Sequence, residues 1–92
     1  MEDFLKEEEL KRLRKEITII DNRIIESIDM RISIAKDIAK LKDKSFPILD
    51  LKREEEIIER LCKKQWMFMS RQYISWLYKT IFQITKEEMR DV

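Results

Sequence analysis

The 92-residue chain contains no histidine and no glycine, a single proline and a single cysteine. Without histidine there is no imidazole base, no histidine-dependent triad and no histidine metal site. Without glycine there is no loop of the kind that cradles a phosphate. Cys62 alone excludes an intramolecular disulfide and a cysteine-based zinc site, and stands as a small apolar residue of core or surface. No apolar run approaches the ~20 residues that span a bilayer. The acidic start MEDFLKEEEL lacks the apolar stretch of a secretion signal. The expectation is a soluble, cytoplasmic protein. An excess of charge of one sign is missing as well: 20 Lys and Arg face 19 Asp and Glu, a net charge of +1. That balance gives no general attraction to nucleic acid or an anionic membrane, so neither is expected as a partner. An enzyme of this composition must work by binding and electrostatics.

What is present is helical. Hydrophobic residues at 43% and charged residues at 42%, uninterrupted by glycine, predict an all-α protein, and the length predicts one domain over residues 1–92. Leu10, Leu13, Ile17, Ile20 and Ile24, then Ile34, Ile38 and Leu41, recur at alternating steps of three and four. That is the heptad seam of a helix packed along its whole length. Nothing breaks residues 4–44, so one first helix is expected there. At 1.5 Å per residue it would be roughly 60 Å long, whereas a globule of this size is only about 30 Å across. A second chain must cover the seam, which predicts an obligate dimer.

The seam has polar breaks at Ser27 and Arg31. A buried arginine costs several kcal/mol unless an anion pairs with it, whether a carboxylate of either chain or a ligand. Lys42, eleven residues on, lies about 20° around the helix and some 16 Å along it. Two long cationic side chains so placed can bracket a small dianion. Arg14 precedes Arg31 by about 25 Å and is rotated by roughly 100°. It cannot reach that pocket on its own chain, but in an antiparallel or intertwined dimer it reaches the partner's.

In the stretch FPILDLKREEEI, Pro47 and Asp50 announce a second helix with Asp50 as N-cap. A capping box would place Glu or Gln at position 53. Arg53 stands there instead, at the end of the helix dipole that disfavours cations. The second helix is expected over Leu51 to Lys64 with Leu51, Ile58 and Leu61 inward and Glu54 on the same face. An arginine beside free N-terminal N–H groups is poorly placed for stability and well placed for a carboxylate. Residues 65–70, QWMFMS, are expected to pack beneath the second connection. A third helix is expected from Arg71 to Arg90, facing inward with Ile74, Leu77, Ile81 and Ile84, then Glu88, with Thr85 flanking that face.

The run LRKEITIIDNRIIESIDMRISIAKDIAKLK followed by PILDLKREEEIIERL resembles the all-helical chorismate mutases. The shared pattern is LR, I-x-x-x-D, an arginine after aliphatics, a lysine eleven residues later, and D-x-x-R-E. It covers about residues 13–61 and, more weakly, the third helix. The resemblance implies a three-helix protomer in an intertwined homodimer whose long first helices cross between subunits. It implies that Arg31, Lys42 and Arg53 hold the carboxylates and ether-oxygen region of chorismate. Arg14 would enter from the other subunit, and Asp50 and Glu54 would bind the ring hydroxyl, Asp50 mainly through its cap and backbone. The implied reaction converts chorismate to prephenate in aromatic amino acid biosynthesis, an intramolecular [3,3] shift needing no nucleophile, base, metal or cofactor.

The family carries Ser or Thr and, four residues on, a Gln that donates to the ether oxygen. An ungapped match puts Thr85 and Met89 at these positions, and a one-residue shift brings Glu88 to the second, where some family members use a glutamate. A glutamate must be protonated to donate, so Glu88 in this role implies activity rising toward acidic pH. Two other readings remain: isochorismate-pyruvate lyase on the same fold, and a non-catalytic helical dimerisation module. The second would not need the polar breaks Arg31, Glu54 and Glu88.

Overall fold

The computed structural model describes residues 2–41 and 50–90, which form three α-helices: α1 Glu2–Leu41, α2 Leu51–Cys62 and α3 Arg71–Glu88. The described residues contain no strand. Tertiary contacts divide the chain into two units, one ending at Arg31 and the other beginning at Ile32.

The first unit is helix α1 as far as Arg31. Its exposed flanks carry ion pairs one turn apart, Arg12 with Glu9 and Glu16, and Lys11 with Glu8, each supporting the helix by a few tenths of a kcal/mol. Its apolar stripe is exposed among the described residues, at Leu10, Leu13, Ile17, Ile20 and Ile24, and α1 has no buried residue.

The second unit holds the core. Helices α2 and α3 pack together, and the buried hydrophobic residues among those described are Ile57 of α2, Ile74, Ile81 and Phe82 of α3, and Met89 at the α3 C-cap. Tyr78 and Phe82 pack edge to face with ring centroids 5.9 Å apart, a favoured aromatic geometry. From the α1 segment of this unit, Ile32, Ala35, Lys36 and Ala39 are half-buried, while the seam residues Ile34, Ile38 and Leu41 are exposed. The helix therefore turns Ile32 and two alanines inward and leaves Ile34, Ile38 and Leu41 outward.

Both short helices start where the sequence marks a cap. Asp50 Oδ1 accepts a hydrogen bond from the Arg53 N–H at 3.0 Å, and Ser70 Oγ accepts from the Tyr73 N–H at 3.3 Å. Helix α2 ends two residues earlier than expected, with Lys63 as C-cap, and α3 likewise ends at Glu88. The inward faces differ in detail from the heptad expectation. Leu51 is exposed and Ile57 is buried. On α3, Ile84 is exposed, Thr85 is half-buried, and Met89, not Glu88, reaches the buried stripe. A straight α-helix advances 100° per residue, so a strict heptad drifts off the buried line. Counted from Ile74, Ile84 has fallen about 80° away and Thr85 only about 20°.

The QWMFMS stretch does only half of what was expected. Trp66 folds back, donating its indole N–H to the Leu61 carbonyl at 2.8 Å. With Met69 it lines an apolar pocket against Leu61, Ile74, Leu77 and Tyr78. Met67 and Phe68 point outward, 87% and 81% exposed. Among the described residues, no helix is long and apolar enough to cross a membrane.

Candidate active site

Five of the sequence-predicted site residues lie in the second unit, on the first turn of α2 and the last turns of α3. Asp50 is engaged twice in starting α2: its carboxylate caps the Arg53 N–H, and its carbonyl accepts from the Glu54 N–H at 3.0 Å. Two N–H groups of the first turn are thus already satisfied. The N–H groups of Arg53 and Glu54 are therefore not free for an anion, and the arginine side chain can hold one. The guanidinium is available for that. It is exposed, and Glu56, the carboxylate facing it, stands at 3.9 Å, beyond hydrogen-bond distance.

Glu54 lies on the inward side of the same turn, as its place between apolar positions predicts. Its side chain is only 19% exposed, and it meets Lys86 of α3, whose side chain is 27% exposed. Lys86 Nζ stands 3.1 Å from one carboxylate oxygen and 3.4 Å from the other. Every other ion pair between described residues is more exposed than this one.

Thr85, the neighbour of Lys86, is half-buried and donates its hydroxyl to the Ile81 carbonyl at 2.7 Å. That bond fixes the rotamer and leaves the oxygen as an acceptor. Glu88 is exposed, with a carboxylate oxygen 3.7 Å from Lys36 Nζ. The inward-directed carboxylate expected at 88 is therefore an outward-lying one paired with α1, and Met89 takes the inward position.

Lys42 lies outside the described residues, as does Pro47. Arg14 and Arg31 belong to the first unit, where Arg14 is exposed and Arg31 is half-buried. The structure thus brings Glu54 together with a lysine that sequence reasoning missed. The signal for Lys86 was present: it follows Phe82 by one turn and borders Thr85, which puts it at the edge of the inward face. Lys36 was missed for the same reason, since the heptad seam directed attention to Ile34 and Ile38. A second pocket, lined by Glu55, Ile58, Glu59, Arg71, Ser75 and Lys79, contains none of the expected site residues. Among the described residues no group of histidine, cysteine, aspartate or glutamate side chains is arranged to hold a metal ion.

The sequence profile of the family described as chorismate mutase type II matches residues 13–90. The chain belongs to that family. A chorismate mutase of Methanocaldococcus jannaschii is 44% identical over 61 residues, a match covering 62% of this chain and 62% of that protein. A bifunctional chorismate mutase/prephenate dehydratase of Aquifex aeolicus is 44% identical over 57 residues, covering 61% of this chain and 16% of that protein. The chain thus spans less than two thirds of the curated relatives it matches. Among solved structures, the chorismate mutase of Helicobacter pylori in complex with prephenate superposes with a TM-score of 0.83 at 32% identity, covering 89% of this chain and 90% of that one. The three-helix, all-α architecture is therefore that of the chorismate mutase type II family.

Proposed function

We propose that the protein is a chorismate mutase, converting chorismate to prephenate in aromatic amino acid biosynthesis, and that it acts as a homodimer with shared active sites. The observation that carries this reading is the likeness, over 89% of the chain at 32% identity, to a chorismate mutase solved with prephenate bound. The pattern Arg14, Arg31, Lys42, Asp50, Arg53 and Glu54 supports it. In the rearrangement the ether C–O bond breaks as a new C–C bond forms within one molecule, so no atom is gained or lost. The extended substrate must be held in a chair-like conformer, which is a positioning problem. Negative charge develops on the ether oxygen, and fixed cations stabilise it.

In this reading Arg31, Lys42 and Arg53 grip the substrate carboxylates and the ether oxygen, and Arg14 of the partner subunit holds a carboxylate from the other side. Glu54 accepts the ring hydroxyl, and Asp50 contributes chiefly by fixing the backbone of that turn. Thr85 and Glu88 close the far end, with Glu88 in its protonated form donating to the ether oxygen; loss of turnover in Glu88→Ala and activity that rises toward acidic pH test that role. The uncovered stripe of α1 supports the dimer, because so many exposed leucines and isoleucines on one line require a partner. The charged, cysteine-poor composition fits a cytoplasmic site of action.

The decisive experiment mixes purified protein with chorismate and follows its loss by absorbance, with prephenate as the expected product. No turnover of chorismate, or pyruvate released from isochorismate in its place, would overturn the assignment.

A further inference from the structure

Three observations converge on Lys86. The Glu54–Lys86 pair joins α2 to α3 at the edge of the core, with both side chains largely shielded from water. The ammonium touches both oxygens of the carboxylate, at 3.1 and 3.4 Å, so it fixes the rotation of that group as well as its place. Glu54 is anchored from the other side by the first turn of α2, whose N–H groups are held by Asp50. A shielded ion pair is not an economical way to hold two helices together, since apolar residues of similar volume do this at least as well. Its use is to hold a charged group in one orientation.

We propose that Lys86 is a positioning residue of the active site, holding the Glu54 carboxylate in the orientation that accepts the substrate's ring hydroxyl. This rests on the mutase reading and on Glu54 as the hydroxyl acceptor. A carboxylate has about four acceptor positions, so the lysine leaves room for a hydroxyl. It also solves an electrostatic problem. A bare carboxylate in a site for a doubly anionic substrate repels the substrate, and an adjacent ammonium cancels that charge without removing the acceptor. Lys86 therefore acts through Glu54 and governs substrate binding more than the bond rearrangement.

The test compares wild type with Lys86→Gln, Lys86→Met, Lys86→Arg, Glu54→Gln and the double variant Glu54→Gln/Lys86→Gln, measuring kcat, KM for chorismate and thermal unfolding. Two neutral replacements of unlike polarity guard against one of them failing to fold. The expected result is a KM raised about tenfold in both neutral variants, a kcat within roughly threefold of wild type, recovery in Lys86→Arg, and a double variant no worse than Glu54→Gln alone. A wild-type KM in the neutral variants overturns the proposal, even where their melting temperature shifts, because the pair would then be structural only. Losses that multiply in the double variant also overturn it, since Lys86 would then act independently of Glu54. A wild-type protein that does not turn over chorismate sinks the mutase reading itself, which is a different and recognisable failure.

Discussion

Arg53 is placed against stability and, on the proposed reading, in favour of binding. Its backbone N–H is capped by Asp50 whatever its side chain is, while its guanidinium sits at the positive end of the α2 dipole. Replacing it with alanine should therefore leave α2 intact and relieve an unfavourable interaction of about 0.3–1 kcal/mol. The same change should remove a charged contact to substrate, worth about 1.5–3 kcal/mol, or roughly 10- to 100-fold in kcat/KM. Thermal unfolding and steady-state kinetics on Arg53→Ala should thus move in opposite directions, and a variant that loses stability and activity together would count against an anion-binding Arg53. Lys42 makes a sharper kinetic claim. If Lys42 meets the charge that develops on the ether oxygen, its replacement by glutamine should lower kcat by about 10²–10³ with a smaller change in KM. A larger effect on KM than on kcat would move Lys42 from the ether oxygen to a ground-state carboxylate.

The helices were legible in the sequence because their ends are chemical. Asp50 after Pro47 caps α2 as expected, and Ser70, a residue type suited to the same role, caps α3. Asp50→Ala should cost about 1 kcal/mol, a fall in melting temperature of roughly 4–8 °C for a domain of this size. An unchanged melting temperature would mean that α2 is held by packing alone. Faces were less legible than ends, because the strict heptad count drifts from the true line of burial over two or three turns. That drift turned attention to Leu51, Ile84 and Glu88 where the structure uses Ile57, Thr85 and Met89, and it hid Lys86. The α2–α3 connection carries another readable interaction. The Arg71 guanidinium bonds the Glu59 carboxylate and holds it below the usual carboxylate range. A lowered folded-state value means that the stabilisation is complete above the ordinary carboxylate range and is lost as the pH falls through the lowered value. Arg71→Ala should therefore melt below wild type at neutral pH, and the gap should close in acid. A gap that persists in strong acid would show that Arg71 contributes through packing of its stem.

At the scale of the whole molecule, composition excluded more chemistry than it specified: without histidine or glycine, little remained besides charges fixed on helices. The sequence argues for a dimer because a helix this long exposes its seam, and in the structure Leu10, Leu13, Ile17, Ile20 and Ile24 do lie exposed. Which cations would share a pocket was not legible from spacing alone, since convergence across two subunits would leave no trace along one chain; the motif resemblance supplied that expectation. This has a stoichiometric consequence. If Arg14 serves the site that contains the partner's Lys42, Arg14→Ala and Lys42→Gln each disable every site in their own homodimers. In a mixed dimer one site combines the intact Lys42 of one chain with the intact Arg14 of the other, while the second site carries both lesions. Unfolding and refolding the two variants together at equal amounts should yield mixed dimers as about half of the population, and hence about a quarter of wild-type activity. If both residues served a site within one subunit, every site in the mixture would carry one lesion or the other. Activity would then stay at the level of the separate variants, and the shared site would be excluded even if the protein remained a dimer.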